Sequence, residues 1–141
     1  MEISAMNNEN ILDFAQQYEV FAQELLYFIG IQKWNKAYIK YEIYNQMISI
    51  ERWFIFENQE FWLGNEILDD IWESSSKSVY YIRDTMLERT GHRIWGLLFT
   101  LYPNGKFKIE YDYNKPDDYE ESDEVISGDE INQSLNKLGI K

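Results

Sequence analysis

The stretch WGLLFTLYPNGKFKIEYDY, from Trp95 to Tyr113, contains two runs of alternating residues on either side of Pro103-Asn104-Gly105. Proline, asparagine and glycine favour tight turns, and alternation with period two is typical of half-buried strands. The stretch therefore predicts a β-hairpin. One face of it is expected to carry Trp95, Leu97, Phe99 and Leu101 from the first strand and Phe107, Ile109, Tyr111 and Tyr113 from the second.

Two segments upstream show the same alternation. WNKAYIKYEIYN, starting at Trp34, and MISIERWFIFEN, starting at Met47, place apolar or aromatic residues at every second position. Two neighbouring runs of this kind predict a second hairpin. EFWLGNEI, which starts at Glu60, predicts a short third strand that ends near Gly64.

A long amphipathic helix is predicted from Asn7 to Ile29, because apolar residues recur there at steps of three and four positions. Asn7 or Asn8 is expected to cap the start of this helix, and Gly30 is expected to end it.

A second helix is predicted from about Ser76 to Arg89, with Ser75 or Ser76 as its cap and Gly91 at its end. Residues 65–76 are ambiguous between helix and loop. A short third helix is predicted around Glu130 to Lys137.

These elements predict an α+β fold. An antiparallel sheet of four to five strands is packed on one face by the long N-terminal helix and the second helix, and a short C-terminal helix follows. The length of 141 residues and the lack of a linker composition predict a single domain over residues 1–141.

Composition narrows the class of protein. The chain has no cysteine, so disulfides and cysteine-based zinc sites are excluded. Its first ten residues, MEISAMNNEN, lack the features of a secretory signal, and no apolar run reaches the roughly 18 residues of a membrane span. We therefore expect a cytoplasmic protein with no membrane partner.

Negative charge is concentrated in one segment. The formal net charge is −12, and residues 110–130 hold ten acids and one base. An acidic field repels nucleic acid and attracts basic proteins. The segment includes YDYNKPDDYEESDE, from Tyr111 to Glu124. The residues predicted to bind a partner are Asp112, Asp117, Asp118, Tyr119, Glu120, Glu121, Asp123 and Glu124.

Two other interpretations of this acidic stretch stay open, a solubilising loop and a weak, unspecific cation site. A calcium-binding EF-hand is excluded. Asp112 and Asn114 fit its first two ligand positions, but Pro116 and Asp117 follow where a third ligand and the turn glycine are needed.

Signs of catalysis are weak. His92 is the single histidine, it stands near no nucleophile motif, and no glycine-rich phosphate loop is present. We therefore predict no catalytic residue, no metal site and no cofactor.

The block GKFKIEYDY, from Gly105 to Tyr113, resembles a block of the YezG-like antitoxin and immunity proteins, in which a glycine turn leads into a similar strand and an acidic loop. WNKAYIKYEIY, from Trp34, is similar to the first strand of that family, which follows a long first helix. The order of elements also agrees, so that the resemblance spans about residues 9 to 139.

This resemblance implies an immunity protein, or antitoxin, that neutralises a bacterial toxin domain, typically a nuclease, and does no chemistry itself. The alternative from the charge alone is an acidic adaptor or DNA mimic for another basic protein. A third hypothesis is a small enzyme that uses the acidic cluster with a divalent ion. The oligomeric state is left open.

Overall fold

The computed structural model describes the backbone of residues 5–117 and the side chains of residues 14–117. Two helices and five strands lie in this part of the chain: α1 (Ala5–Ile29), β1 (Lys36–Ile43), β2 (Ile48–Phe56), β3 (Gln59–Gly64), α2 (Asp69–Thr90), β4 (Gly96–Leu101) and β5 (Phe107–Asp112). The helix predicted around Glu130 to Lys137 lies outside the described residues.

The strands form one antiparallel sheet in the order β3-β2-β1-β4-β5. Both predicted hairpins are present, with Ile43 opposite Ile48 in one and Leu101 opposite Phe107 in the other. β1 also pairs with β4, which places the first strand at the centre of the sheet. The predicted α+β architecture, with a five-stranded sheet, is therefore confirmed.

The helix ends agree with the sequence better than the helix starts. Gly30 and Gly91 follow the two helices with φ of 63° and 77°, a left-handed conformation that glycine adopts readily. The predicted cap at Asn7 or Asn8 is wrong, because α1 begins at Ala5 and both asparagines lie inside it.

The predicted start of α2 is also wrong. The helix begins at Asp69, seven residues before Ser76, and its N-cap residue, Leu68, makes no capping hydrogen bond with its side chain. Ser75 and Ser76 lie inside the helix, where the Ser76 hydroxyl donates to the carbonyl oxygen of Trp72 at 2.7 Å. A serine whose hydroxyl bonds back to its own helix can lie inside that helix and need not mark its start.

The core lies between the helices and one face of the sheet. From α1 it receives Phe14, Tyr18, Phe21, Leu25 and Ile29, from α2 Val79 and Ile82, and from the sheet Ala37, Ile39, Tyr41, Ile43, Ile50, Phe54, Leu97, Phe99 and Leu101. The alternation predicted for β1, β2 and β4 is thus the alternation between this inner face and the opposite, outer face.

A buried polar cluster joins four elements within this core. Glu24 of α1 accepts hydrogen bonds at Oε1 from Tyr41 (2.8 Å) and Ser75 (2.7 Å), and at Oε2 from Nε of Arg52 (2.7 Å). Nη2 of Arg52 lies 2.6 Å from the same Oε2, and the Tyr41 and Ser75 hydroxyls contact each other. The guanidinium also covers the ring of Phe28 at 3.9 Å. The cluster therefore ties both helices to β1 and β2.

Candidate functional site on the open face of the sheet

No element within residues 5–117 covers the outer face of the sheet. Its most prominent feature is a row of aromatic side chains across β1, β2 and β3. Tyr38 lies opposite Trp53, and Trp53 lies opposite Trp62. The rings of Tyr38 and Trp53 are stacked, with centroids 5.1 Å apart and planes 16° apart. Trp62, on the edge strand, is 61% exposed.

The Trp53–Trp62 pairing depends on a two-residue turn. Glu57 and Asn58 connect β2 to β3, and both have positive φ, 51° and 64°. Two central residues with positive φ give a hairpin turn whose twist matches that of the strands. Because the turn pairs Phe56 with Gln59, Trp53 faces Trp62 on the outer side and Phe54 faces Phe61 on the inner side.

Carboxylates flank the two tryptophans. Glu51 precedes Trp53 by two positions and Glu60 precedes Trp62 by two, so all four side chains share the outer face. Together they line a cleft of about 300 Å³. Both glutamates are exposed, and neither makes a side-chain hydrogen bond or an ion pair within the described part of the chain.

A second groove, of about 440 Å³, crosses β1, β4 and β5 on the same face. Gly96 lies in it opposite both Glu42 and Asp112. A Cβ at this glycine would lie 2.9 Å from the carbonyl oxygen of Tyr41, so only a residue without a side chain fits there. The charged groups of its lining are the carboxylates of Glu42, Glu110 and Asp112 and the ammonium of Lys40. Glu110 also forms an exposed ion pair with Lys108, at 3.6 Å.

Two of the predicted partner-binding residues, Asp112 and Asp117, lie in the described part, and both are exposed. Asp112 ends β5 and accepts a hydrogen bond from the backbone N–H of Asn114 at 2.9 Å. It also lines the second groove, which connects the predicted acidic site to the outer face. Asp118, Tyr119, Glu120, Glu121, Asp123 and Glu124 lie outside the described residues.

The tyrosines of β5 and its continuation differ in environment. The Tyr111 hydroxyl is hydrogen-bonded to that of Tyr18 at 2.5 Å, and burial raises the pKa of Tyr111. Its ring therefore packs on the inner side, as the alternation predicts. Tyr113 is 48% exposed and has its ring 6.2 Å from that of His92, so its expected place on the core face is wrong.

The side chains that line the tryptophan cleft belong to strands whose positions sequence reasoning predicted, but the cleft itself was missed. The alternation pattern predicts Trp53 and Trp62 only as strand residues. The available signal was an aromatic residue two positions after a glutamate in both β2 and β3, ERW and EFW, on either side of a short turn.

The other described parts of the surface offer weaker candidates for a functional site. A groove of about 330 Å³ between α1 and α2 reaches Glu24, whose two oxygens already accept four polar contacts. Within the described residues, no three His, Asp or Glu side chains are placed to hold a metal ion. No helix there is both long and apolar enough to cross a membrane.

The chain matches no protein-family model, and no curated protein is significantly similar to it. The resemblance to the YezG-like proteins therefore stays a prediction that rests on the residues of its strands.

Proposed function

We propose that this chain is an immunity protein that binds a basic bacterial toxin domain, of the nuclease class, and blocks it through an acidic surface. The observation that carries the proposal is the series of carboxylates and aromatic rings across the outer face, from Trp62 to Asp112, which belongs to the acidic stretch. Aromatic side chains are enriched in protein interfaces, and charge gives complementarity and steering.

The chemistry of a nuclease fits such a surface. A nuclease must attract phosphate groups, and its active cleft is therefore rich in lysine and arginine. Carboxylates fixed on a rigid sheet can pair with those cations in place of phosphates. Inhibition of this kind needs only binding, so the inhibitor itself performs no reaction.

Co-purification from the native cell, followed by co-expression, tests this proposal. We expect a basic protein to be retained by the tagged chain, to arrest growth when expressed alone and to be tolerated when the chain is co-expressed. A retained basic protein with no toxicity would contradict the immunity function and favour an adaptor or DNA mimic. Retention of nucleic acid instead of protein would contradict both.

A further inference from the structure

We propose that the cleft formed by Trp53, Trp62, Glu51 and Glu60 is a receptor for an arginine side chain of a basic polypeptide partner. This inference deepens the proposed function and rests on it for the identity of the partner, although the cleft can be tested without the toxin. The occupant to which we commit is a guanidinium group on an exposed loop of another protein.

The walls of the cleft have the two properties that recognise a guanidinium. Trp53 and Trp62 offer indole rings, and the face of an indole is the best cation–π partner among the side chains. Glu51 and Glu60 offer carboxylates, which accept paired hydrogen bonds from the planar guanidinium. Arginine can stack on an aromatic face and donate in its own plane at the same time, whereas lysine presents a compact charge.

Neighbouring residues fix the positions of the two tryptophans before any ligand binds. The stack of Tyr38 on Trp53 supports one indole from behind, and the short turn at Glu57-Asn58 fixes the strand that carries the other. Neither carboxylate is engaged by another side chain of the described part. Little has to be rearranged or broken before a cation can bind, and preorganisation of this kind favours affinity.

Charge in the neighbourhood also favours a cation. Lys40 lies opposite Glu51, and Lys108 pairs with Glu110 at 3.6 Å, but the carboxylates of Glu42 and Asp112 add negative charge to the same face. The formal net charge of −12 adds a long-range attraction for basic partners. A polar cation site on an otherwise uncovered sheet face is thus complementary to a basic protein, and not to an apolar helix.

NMR titration of the full chain with an arginine-rich hexapeptide tests the proposal. The chain has five tryptophans, and the spectra of W53F and W62F assign the two indole N–H signals of the cleft. We expect these signals to shift saturably with the peptide. A peptide in which citrulline replaces arginine keeps the shape but loses the charge, and it should shift them little.

Substitutions distinguish binding at the cleft from attraction by the overall negative charge of the chain. We expect E51Q/E60Q to raise the peptide Kd about three- to tenfold, the range for two exposed ion pairs, and W62A to raise it about two- to fivefold through the lost cation–π contact. E73Q/E88Q removes the same charge from exposed positions on α2 and should leave the Kd within about twofold, because screening weakens distant charges.

Several results would overturn the arginine receptor. One is an equal effect of E51Q/E60Q and E73Q/E88Q, and another is equal binding of the citrulline peptide. Indole signals that shift with protein concentration alone would place a second copy of the chain in the cleft. Much tighter peptide binding by K137Q/K141Q would show that the chain's own C-terminal lysines occupy it. If the peptide binds as expected but no toxin is found, the cleft stands and the immunity function fails.

Discussion

Arg52 is a strand residue at an inward-facing position, between Ile50 and Phe54, and it is 1% exposed. A charge placed there is tolerated because Glu24 neutralises it and because Tyr41 and Ser75 complete the hydrogen bonding of the carboxylate. Burial and the nearby Glu24 carboxylate hold the pKa of Tyr41 well above its ordinary value, so the hydroxyl remains a donor at neutral pH.

Removal of one partner of the Glu24–Arg52 ion pair should destabilise the fold far more than removal of both. We expect R52M to lower the free energy of unfolding by about 3–5 kcal/mol, since it leaves Glu24 buried without its cation. The double variant E24L/R52M leaves no uncompensated charge, so it should be more stable than R52M alone. Urea denaturation followed by circular dichroism gives the free energy of unfolding of the wild type, R52M and E24L/R52M.

The ion pair of Arg83 and Asp84 provides the control for this cycle. Asp84 is largely exposed, and D84N should therefore change stability by only about 0–1 kcal/mol. If R52M were as mild as D84N, the buried cluster would contribute little to stability. A double variant less stable than R52M would mean that the cluster is needed for packing and not only for charge compensation.

At the scale of elements, the strands were predictable because alternation and turn residues both reside in the local sequence. Pro103, Asn104 and Gly105 mark one turn, and Gly105 has the φ of 89° that such turns favour. The hairpin of β4 and β5 follows directly. Local signals of this kind need no knowledge of the rest of the chain.

The start of α2 was not predictable in the same way. Serine is a preferred N-cap residue, but the Ser75 hydroxyl donates to Glu24, 51 positions earlier in the chain. A long-range contact of this kind overrides the local preference of serine for helix starts. Arg52 in an apolar alternation was the single local hint that a buried acid must exist elsewhere.

The central β1–β4 pairing depends on a glycine. G96A would bring a Cβ to 2.9 Å from the carbonyl oxygen of Tyr41, and this neighbour is backbone, which cannot turn aside. We expect a loss of about 1–3 kcal/mol in the free energy of unfolding, the usual penalty of overpacking. Thermal and urea denaturation measure it.

Gly105 supplies the matched control for G96A. It has open space around it but a positive φ, which asparagine tolerates better than most residues. G105N should therefore be milder than G96A. If G96A were the milder change, the sheet would be able to widen between β1 and β4, and close approach at Gly96 would not be what selects glycine.

At the scale of the whole molecule, most of the excess negative charge lies apart from the helices and the first four strands. Residues 1–109 hold fifteen acids and ten bases, whereas residues 110–130 hold ten acids and one base. The helices and the inner face form the core, whereas the outer face and the exposed carboxylates of Asp112 and Asp117 remain available to a partner. The acidic character of the site was predictable from composition, but its aromatic part required the pairing of β2 with β3.

This separation predicts that binding rate and fold stability respond to different changes. If co-purification retains the proposed toxin, we expect D117N/D118N/E120Q/E121Q to slow its association about tenfold or more at low salt, because steering by the acidic stretch is lost. The dependence of the association rate on salt should also become weaker. Stopped-flow fluorescence between low and physiological ionic strength measures the rate and its salt dependence.

E19Q/E66Q/E73Q/E88Q removes the same charge from exposed positions elsewhere and should keep most of the wild-type salt dependence. If the two quadruple variants behave alike, net charge alone steers the partner, and the acidic stretch is not the docking surface.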